Sequence, residues 1–152
     1  MTSSKKKAPA KKKTPARRVQ YAALPYRRTG KSGTEVLLVT SRETRRWIIP
    51  KGWPVKGKRP HKSAAHEALE EAGVVGRISR RPVGAFVYNK RLKGGKVVAC
   101  EVQVFVLKVK KQEASWLEKG ERKLKWLTRA KAAKAVGDRV LGTLIRKGTR
   151  RK

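Results

Sequence analysis

The chain has 152 residues, of which 42 are Lys or Arg and 10 are Asp or Glu, and its formal net charge is +32. This length suits one globular domain, and no apolar run is long enough for a membrane-spanning helix, so membrane insertion is excluded. The one cysteine, Cys100, excludes an intramolecular disulfide, and no Cys/His cluster has structural-zinc spacing. Because the sequence also begins without a secretory signal, we predict a reducing compartment, the cytoplasm.

The segment 1–18 is a basic tail. It carries eight Lys or Arg residues and no acid. Such a segment buries too little apolar surface to offset the entropy lost on ordering, so we predict that it is disordered. Two roles stay open for it: a solubilising tail, or a contact for nucleic acid, which its charge attracts. The predicted domain spans residues 19–148, and residues 149–152 form a basic C-terminal end.

The first part of this domain contains three predicted strands. Val19–Leu24 and Glu35–Thr40 are rich in apolar and β-branched residues, and the Gly-containing segment 27–33 between them predicts a hairpin loop. The apolar run at 36–39 is continuous rather than alternating, which predicts a strand covered on both faces. A short third strand at Trp47–Ile49 leads into a loop rich in Gly, Pro and Lys.

A helix is predicted next, at Ser63–Ala72, with Ser63 as its N-cap and Gly73 as its C-terminal stop. The later predicted elements are strands and one helix, at 83–88, 97–109, 125–127 and 129–146. The inward side of that helix is predicted to consist of Ala132, Ala135, Val136, Val140, Leu144 and Ile145. Because strands and helices do not alternate regularly, the predicted fold class is mixed α/β, of the α+β type.

Three glutamates lie on one face of the predicted helix. Glu67, Glu70 and Glu71 are three or four residues apart, or adjacent, so they are neighbours on a helix surface. They are three of only ten acidic residues, and their charges repel one another unless a cation joins them. A hard divalent cation such as Mg²⁺ prefers oxygen ligands and is commonly shared with substrate phosphates. The alternative is an exposed acidic helix face paired with lysines, but the coinciding Gly-rich loop and Gly stop favour a metal.

The stretch 52–74, GWPVKGKRPHKSAAHEALEEAGV, resembles the Nudix box. That pattern is Gly, five residues, Glu, seven residues, Arg-Glu, an apolar residue, any residue, Glu-Glu, any residue, Gly and an apolar residue. The residues that match in register are Gly52, Glu67, Glu70, Glu71, Gly73 and Val74. Two residues depart from it: Lys58 stands at the first Glu position, and His66 at the Arg position, which is expected to orient the catalytic carboxylates. We hypothesise that the joint change is less damaging than either change alone.

The resemblance implies a Nudix hydrolase, an α/β/α sandwich in which a mixed sheet lies between the Nudix helix and a C-terminal helix. It implies an enzyme that uses Mg²⁺, or Mn²⁺, to cleave a diphosphate linkage. The implied metal ligands are the Gly52 carbonyl and the carboxylates of Glu67, Glu70 and Glu71. Glu67 and Glu70 are also implied catalytic residues, together with Glu101 on a later predicted strand. The alternative for Glu101 is a surface acid paired with a lysine.

The loops beside the box resemble those of diphosphoinositol polyphosphate phosphohydrolases and dinucleoside polyphosphate hydrolases. This resemblance rests on Pro50-Lys51-Gly52 and the Gly-Trp-Pro loop that follows. Basic residues around the box suit a substrate with many phosphates, since each phosphate needs a cation when it leaves water. The predicted substrate-binding residues are Arg45, Arg46, Lys51, Trp53, Lys56, Lys58, Lys90 and Arg91.

Two functions stay open. The first, which we favour, is hydrolysis of a small-molecule polyphosphate. The second is a nucleic-acid-binding protein on a Nudix scaffold, which the basic tail and the departures at Lys58 and His66 support. An RNA 5′-end pyrophosphohydrolase would combine both. The sequence predicts no particular oligomeric state.

Overall fold

The computed structural model of the chain describes residues 17–30 and 33–150. They form eight strands and three α-helices, with a short 3₁₀ turn at Lys93–Gly95. In chain order the elements are β1 (Arg18–Thr29), β2 (Gly33–Thr40), β3 (Trp47–Ile48), β4 (Lys51–Gly52), α1 (Pro60–Ala72), β5 (Val74–Ile78), β6 (Gly84–Arg91), β7 (Val97–Gln112), β8 (Leu124–Thr128), α2 (Arg129–Ala135) and α3 (Arg139–Gly148). None of these three helices has the length and apolar character that crossing a membrane requires.

All eight strands belong to one mixed sheet. Its main path runs β3-β2-β1-β7-β5, while β4 pairs with β1, β6 with β7 and β8 with β2. β1 and β7 run parallel, from Arg18 opposite Cys100 to Tyr26 opposite Lys108. The other pairs are antiparallel, and β7 is long enough to pair with β6 along its first half and with β5 along its second. The two parallel strands therefore form the centre of the molecule.

Both faces of this sheet are covered, because successive side chains along a strand point to opposite faces. In β2, Leu37 packs with the buried side of α1, and Leu38 packs with residues of α2 and α3. The α1 side of the core consists of Ala23, Leu37, Val39, Ala64, Ala68, Ala72, Val74, Phe105 and Leu107. The other side consists of Ala22, Leu24, Val36, Leu38, Ile49, Phe86, Val102, Val104, Ala132, Ala133, Leu141 and Ile145. The predicted sandwich and the two-sided burial of residues 36–39 are confirmed.

Several strands differ from the prediction. β1 continues through Pro25 to Thr29, although a loop is predicted from residue 27, because residues 26–29 pair with residues 33–36 of β2. β6 runs to Arg91, three residues into a segment predicted as loop. β4 and β5 are absent from the prediction, since β4 has two residues and β5 contains a glycine and an arginine, which lower strand propensity. Pairing with β1 and β7 forms them instead.

The C-terminal region contains two helices, so the prediction of one helix over 129–146 is wrong. The break lies at Gly137, whose φ of 72° is the left-handed conformation that glycine adopts readily. Asp138 then caps α3, and its carboxylate accepts a hydrogen bond of 2.9 Å from the Leu141 amide. The break changes the helical phase, so Val140, predicted to face inward, is 50% exposed.

The box helix α1 begins three residues before the predicted start. Ser63 is not its N-cap but a buried residue inside it, whose hydroxyl accepts a hydrogen bond of 3.0 Å from the Val55 amide and so ties the preceding loop to the helix. The predicted C-terminal stop is confirmed, since Gly73 has a φ of 69°. Apart from Glu71, the buried residues of α1 are small, which lets the helix lie close against the sheet.

The predicted tail lies outside the described residues except for Arg17 and Arg18, and Arg18 is already the first residue of β1. At the other end of the chain, residues 151–152 lie outside the described residues as well.

Candidate active site

A cleft of about 810 Å³ opens between the box helix, the loops beside β3 and β4, the end of β6 and the segment that follows β7. Its lining includes acidic, basic and aromatic side chains. The acids are Glu43, Glu67, Glu71, Glu118 and Asp138, the bases are Arg42, Arg46, Lys51, Lys90, Arg91 and Arg122, and the aromatic residues are Trp47, Trp53, Phe86 and Tyr88. The cleft therefore combines clustered carboxylates with many cations.

Gly52, the first residue of the box, lies directly against the carboxylate of Glu67. Gly52 lies in β4, opposite Tyr21 of β1. A Cβ atom at residue 52 would lie 2.6 and 2.7 Å from the two carboxylate oxygens of Glu67, closer than such atoms approach. The close approach explains why glycine stands at this position: any side chain would displace the Glu67 carboxylate from the cleft.

Glu71 is the most deeply buried acid of the cleft, with 5% of its side chain exposed. It shares a hydrogen bond with Glu67, and its Oε1 atom has no hydrogen-bond partner among the described residues. Burial, with the charges of Glu67 and Glu118, raises the pKa of Glu71 to about 8, against the opposing effect of Arg122. Burial also raises the pKa of Glu67, and the charge of Glu70 adds to that effect. A buried and a half-buried carboxyl that share a hydrogen bond, with one unpartnered oxygen, suit a cation.

A second pair lies toward the outer end of the same helix face. His66 Nε2 is 2.9 Å from Glu70 Oε2, one helical turn away. One ligand atom from each of His66, Glu67 and Glu70 lies within 4.8 Å of the others. Glu67 thus stands between the His66–Glu70 pair and the buried Glu71. The carboxylate oxygens of this set fit a hard divalent cation, whereas the imidazole of His66 is a ligand that transition metals prefer.

Two residues of the cleft, Glu118 and Arg122, escaped the sequence analysis. The Glu118 amide donates to the Glu70 carbonyl at 3.0 Å, which attaches the segment after β7 to the box helix. Arg122 Nε lies 2.8 Å from Glu118 Oε1, and its Nη2 lies 3.7 Å from Glu71 Oε2. A signal for this segment existed: in a chain with ten acids, three of them lie within residues 113–121. This second cluster of acids in an acid-poor chain resembles the glutamate cluster on the box helix.

The structure brings part of the predicted site together. Gly52, Glu67 and Glu71 line the cleft, and Glu70 lies beside it through its contact with Glu67. The predicted substrate-binding residues that line the cleft are Arg46, Lys51, Trp53, Lys90 and Arg91. Those that do not line it are Arg45, Lys56 and Lys58.

Two of the predicted residues outside the cleft have other contacts. Arg45 donates to the Glu121 carbonyl at 3.2 Å. Glu101 lies on β7 and pairs with Arg17 at 3.8 Å, which matches the alternative of a surface acid paired with a base, although the base is an arginine.

Lys51 is a half-buried cation that lines the cleft. Burial lowers its pKa to about 8, and the neighbouring Glu71 carboxylate opposes that shift. Its ammonium lies 4.7 Å from the centre of the Tyr88 ring, whose hydroxyl donates to Gln20 Oε1 at 2.7 Å. The ring, fixed by that hydrogen bond, supports the ammonium by a cation–π contact, so Lys51 is positioned to neutralise an anion.

The chain matches the NUDIX domain family over residues 16–146. Among curated proteins it is similar to Nudix hydrolase 13, mitochondrial, of Arabidopsis thaliana, with 33% identity over 100 residues, which are 61% of this chain and 48% of that protein. It is also similar to diphosphoinositol polyphosphate phosphohydrolase 3-alpha of Mus musculus, with 39% identity over 83 residues, 54% of this chain and 46% of the relative. The chain therefore spans about half the length of these curated relatives.

Among solved structures, the fold resembles the crystal structure of the Caenorhabditis elegans Ap4A hydrolase. The TM-score is 0.62 at 20% identity, and the match covers 88% of this chain and 97% of that one. At this identity the likeness concerns the fold, and it agrees with the sandwich described above.

Proposed function

Because this chain belongs to the Nudix family, we propose that it is a pyrophosphohydrolase that uses Mg²⁺ or Mn²⁺ to cleave a diphosphate linkage in a highly phosphorylated small molecule. The observation that supports the proposal most directly is the Glu67–Glu71 pair, with its unpartnered Glu71 oxygen, in a cleft that several cations also line. The acids would hold the metal, and the bases would hold the substrate phosphates.

The residues that would hold the metal are Glu67, Glu70 and Glu71, with the Gly52 carbonyl as a further ligand. When bound, the cation would neutralise phosphate charge and lower the pKa of a water molecule. Glu70 is the proposed ligand or general base, since its side chain is 30% exposed, against 5% for Glu71. Glu101, on β7, stays a proposed catalytic residue, although it does not line the cleft and pairs with Arg17 at 3.8 Å.

The proposed substrates are diphosphoinositol polyphosphates and dinucleoside polyphosphates. Arg46, Lys51, Lys90 and Arg91 line one cleft, so several phosphates can be neutralised together. The names of two similar proteins support these classes. Trp53, which is 37% exposed at the cleft, offers a flat surface for a base or an inositol ring.

Nucleic acid and the cytoplasm stay proposals as well. The tail that supports a nucleic-acid partner lies outside the described residues, so RNA is retained as one substrate in the test below. The cytoplasmic location rests on the composition of the sequence alone.

The test is phosphate release in Mg²⁺ from a panel of diphosphoinositol polyphosphates, dinucleoside polyphosphates, ADP-ribose, nucleoside triphosphates and 5′-triphosphorylated RNA. We expect turnover of one of the two proposed classes, and a loss of about 100-fold or more in Glu70→Gln, which removes the base but keeps its shape. Glu35→Gln is the control, because Glu35 pairs with Arg27 and does not line the cleft.

Two results would contradict the proposal. Turnover that Glu70→Gln leaves intact would remove Glu70 as the general base. No turnover of any substrate, with salt-sensitive RNA binding that does not depend on Glu70, would replace the hydrolase with the nucleic-acid-binding alternative.

A further inference from the structure

The departure at the box arginine leaves an orienting task without its usual residue. His66, which stands there, contacts Glu70 at 2.9 Å. No hydrogen bond or ion pair between His66 and Glu71 is present among the described residues. Yet Glu71 is the acid that most needs a partner, since it is buried and one of its oxygens has none.

Arg122 reaches Glu71 from a different part of the chain. Its side chain is 8% exposed and makes three contacts. Nε lies 2.8 Å from Glu118 Oε1, Nη2 lies 3.7 Å from Glu71 Oε2, and Nη1 donates to the Thr40 carbonyl at 3.0 Å. The Lys123 amide donates to the Thr40 hydroxyl at 2.9 Å, which fixes the same segment to the end of β2. The planar guanidinium is therefore held by backbone and faces two carboxylates at once.

We propose that Arg122 performs the orienting task of the missing box arginine: it positions Glu71 and Glu118 for the metal-dependent reaction without contacting substrate. The inference rests on the proposed function. Arg122 contacts Glu71 at Oε2 and leaves Oε1 without a partner, so the oxygen needed for a cation stays available. It also offsets the repulsion among Glu67, Glu71 and Glu118, which would otherwise drive the buried carboxylates apart.

An arginine at this place does what a lysine does not. One ammonium group has three donors around a single point, whereas the guanidinium spans Glu118, Glu71 and the Thr40 carbonyl with three separate nitrogens. A positioning role therefore requires the shape of the group as well as its charge.

The experiment compares wild type with Arg122→Met, Arg122→Lys and the double variant Arg122→Met/His66→Arg. Mn²⁺ affinity of the metal-free protein is measured by electron paramagnetic resonance, and kcat and KM are measured in Mg²⁺. We expect Arg122→Met to lose about 10–100-fold in Mn²⁺ affinity or kcat, as loss of a group that orients a metal ligand usually does, with a smaller change in KM. Arg122→Lys should recover only part of the loss, and His66→Arg should restore activity by returning an arginine to the box.

Arg27→Met is the control, because Arg27 also pairs with a glutamate but is 44% exposed and does not line the cleft. It should leave both readouts unchanged. If Arg122→Met does not fold, the rescue is scored on Arg122→Lys with His66→Arg.

Wild-type kcat and Mn²⁺ affinity in Arg122→Met, or full recovery with lysine, would overturn the positioning role. A folded, impaired Arg122 variant that His66→Arg fails to rescue would overturn the substitution for the box arginine. A wild type that neither binds Mn²⁺ nor hydrolyses a diphosphate would instead overturn the proposed function, and this inference with it.

Discussion

The negative charge of Glu71 is opposed by burial and by two neighbouring carboxylates. Burial raises its pKa to about 8, and Glu67 and Glu118 add negative charge around it. Arg122 opposes that shift, and a divalent cation would oppose it more strongly because metal binding requires the ionised carboxylate. In the metal-free protein the ionised form of Glu71 is therefore unfavourable, and metal binding would stabilise it.

The raised pKa of Glu71 predicts how the stability of the metal-free protein depends on pH. The folded-state pKa of Glu71 lies above the unfolded value of 4.5, so its contribution to stability is present below about pH 4.5 and is lost as pH rises toward about 8. We expect the free energy of unfolding in EDTA, relative to Glu71→Gln, to fall between about pH 5 and about pH 8, by at most about 1.4 kcal/mol per pH unit. Saturating Mg²⁺ should abolish this fall.

Denaturant melts of both proteins at several pH values measure that difference. A difference between wild type and Glu71→Gln that stays constant with pH in EDTA would show that Glu71 titrates normally in the folded protein.

The elements of the fold differ in how far local sequence specifies them. The body of the box helix and its Gly73 stop are predictable because helical spacing and C-capping act within a few residues, whereas no side chain caps its start. β5 and the placement of Glu118 and Arg122 are not predictable in this way, since both depend on pairing or contact with residues distant in the chain. For the same reason the sequence yields the carboxylates of the site but not the arginine that faces them.

The start of α3, after the break at Gly137, depends on the capping residue Asp138. The Asp138 carboxylate satisfies the Leu141 amide, so Asp138→Ala should destabilise the protein by about 1 kcal/mol, and Asp138→Asn by much less, because asparagine caps equally well. Thermal unfolding followed by circular dichroism compares the two. Equal melting temperatures for Asp138→Ala and wild type would mean that the cap does not hold α3 against the core.

The whole molecule carries a net charge of +32, and its cleft is lined by clustered acids and by several bases. Such a field raises the local concentration of polyanions, and salt screens it. We expect KM for a polyphosphate substrate to rise on the order of tenfold between about 0.05 M and about 0.5 M salt, with little change in kcat. ADP-ribose, which has two phosphates, is measured as a competing ligand, and its inhibition constant should rise less. Equal salt dependence for both molecules would place the recognition outside the basic residues of the cleft.

The most direct test of the account is a Mn²⁺ titration of the metal-free protein, with wild type, Glu71→Gln and the Glu35→Gln control side by side. We expect one or more Mn²⁺ sites in wild type and in the control. The Mn²⁺ affinity of Glu71→Gln should be at least about tenfold weaker, because that variant loses the buried, unpartnered carboxylate oxygen. Equal Mn²⁺ affinity in all three proteins would contradict a metal site built on the buried acids of α1.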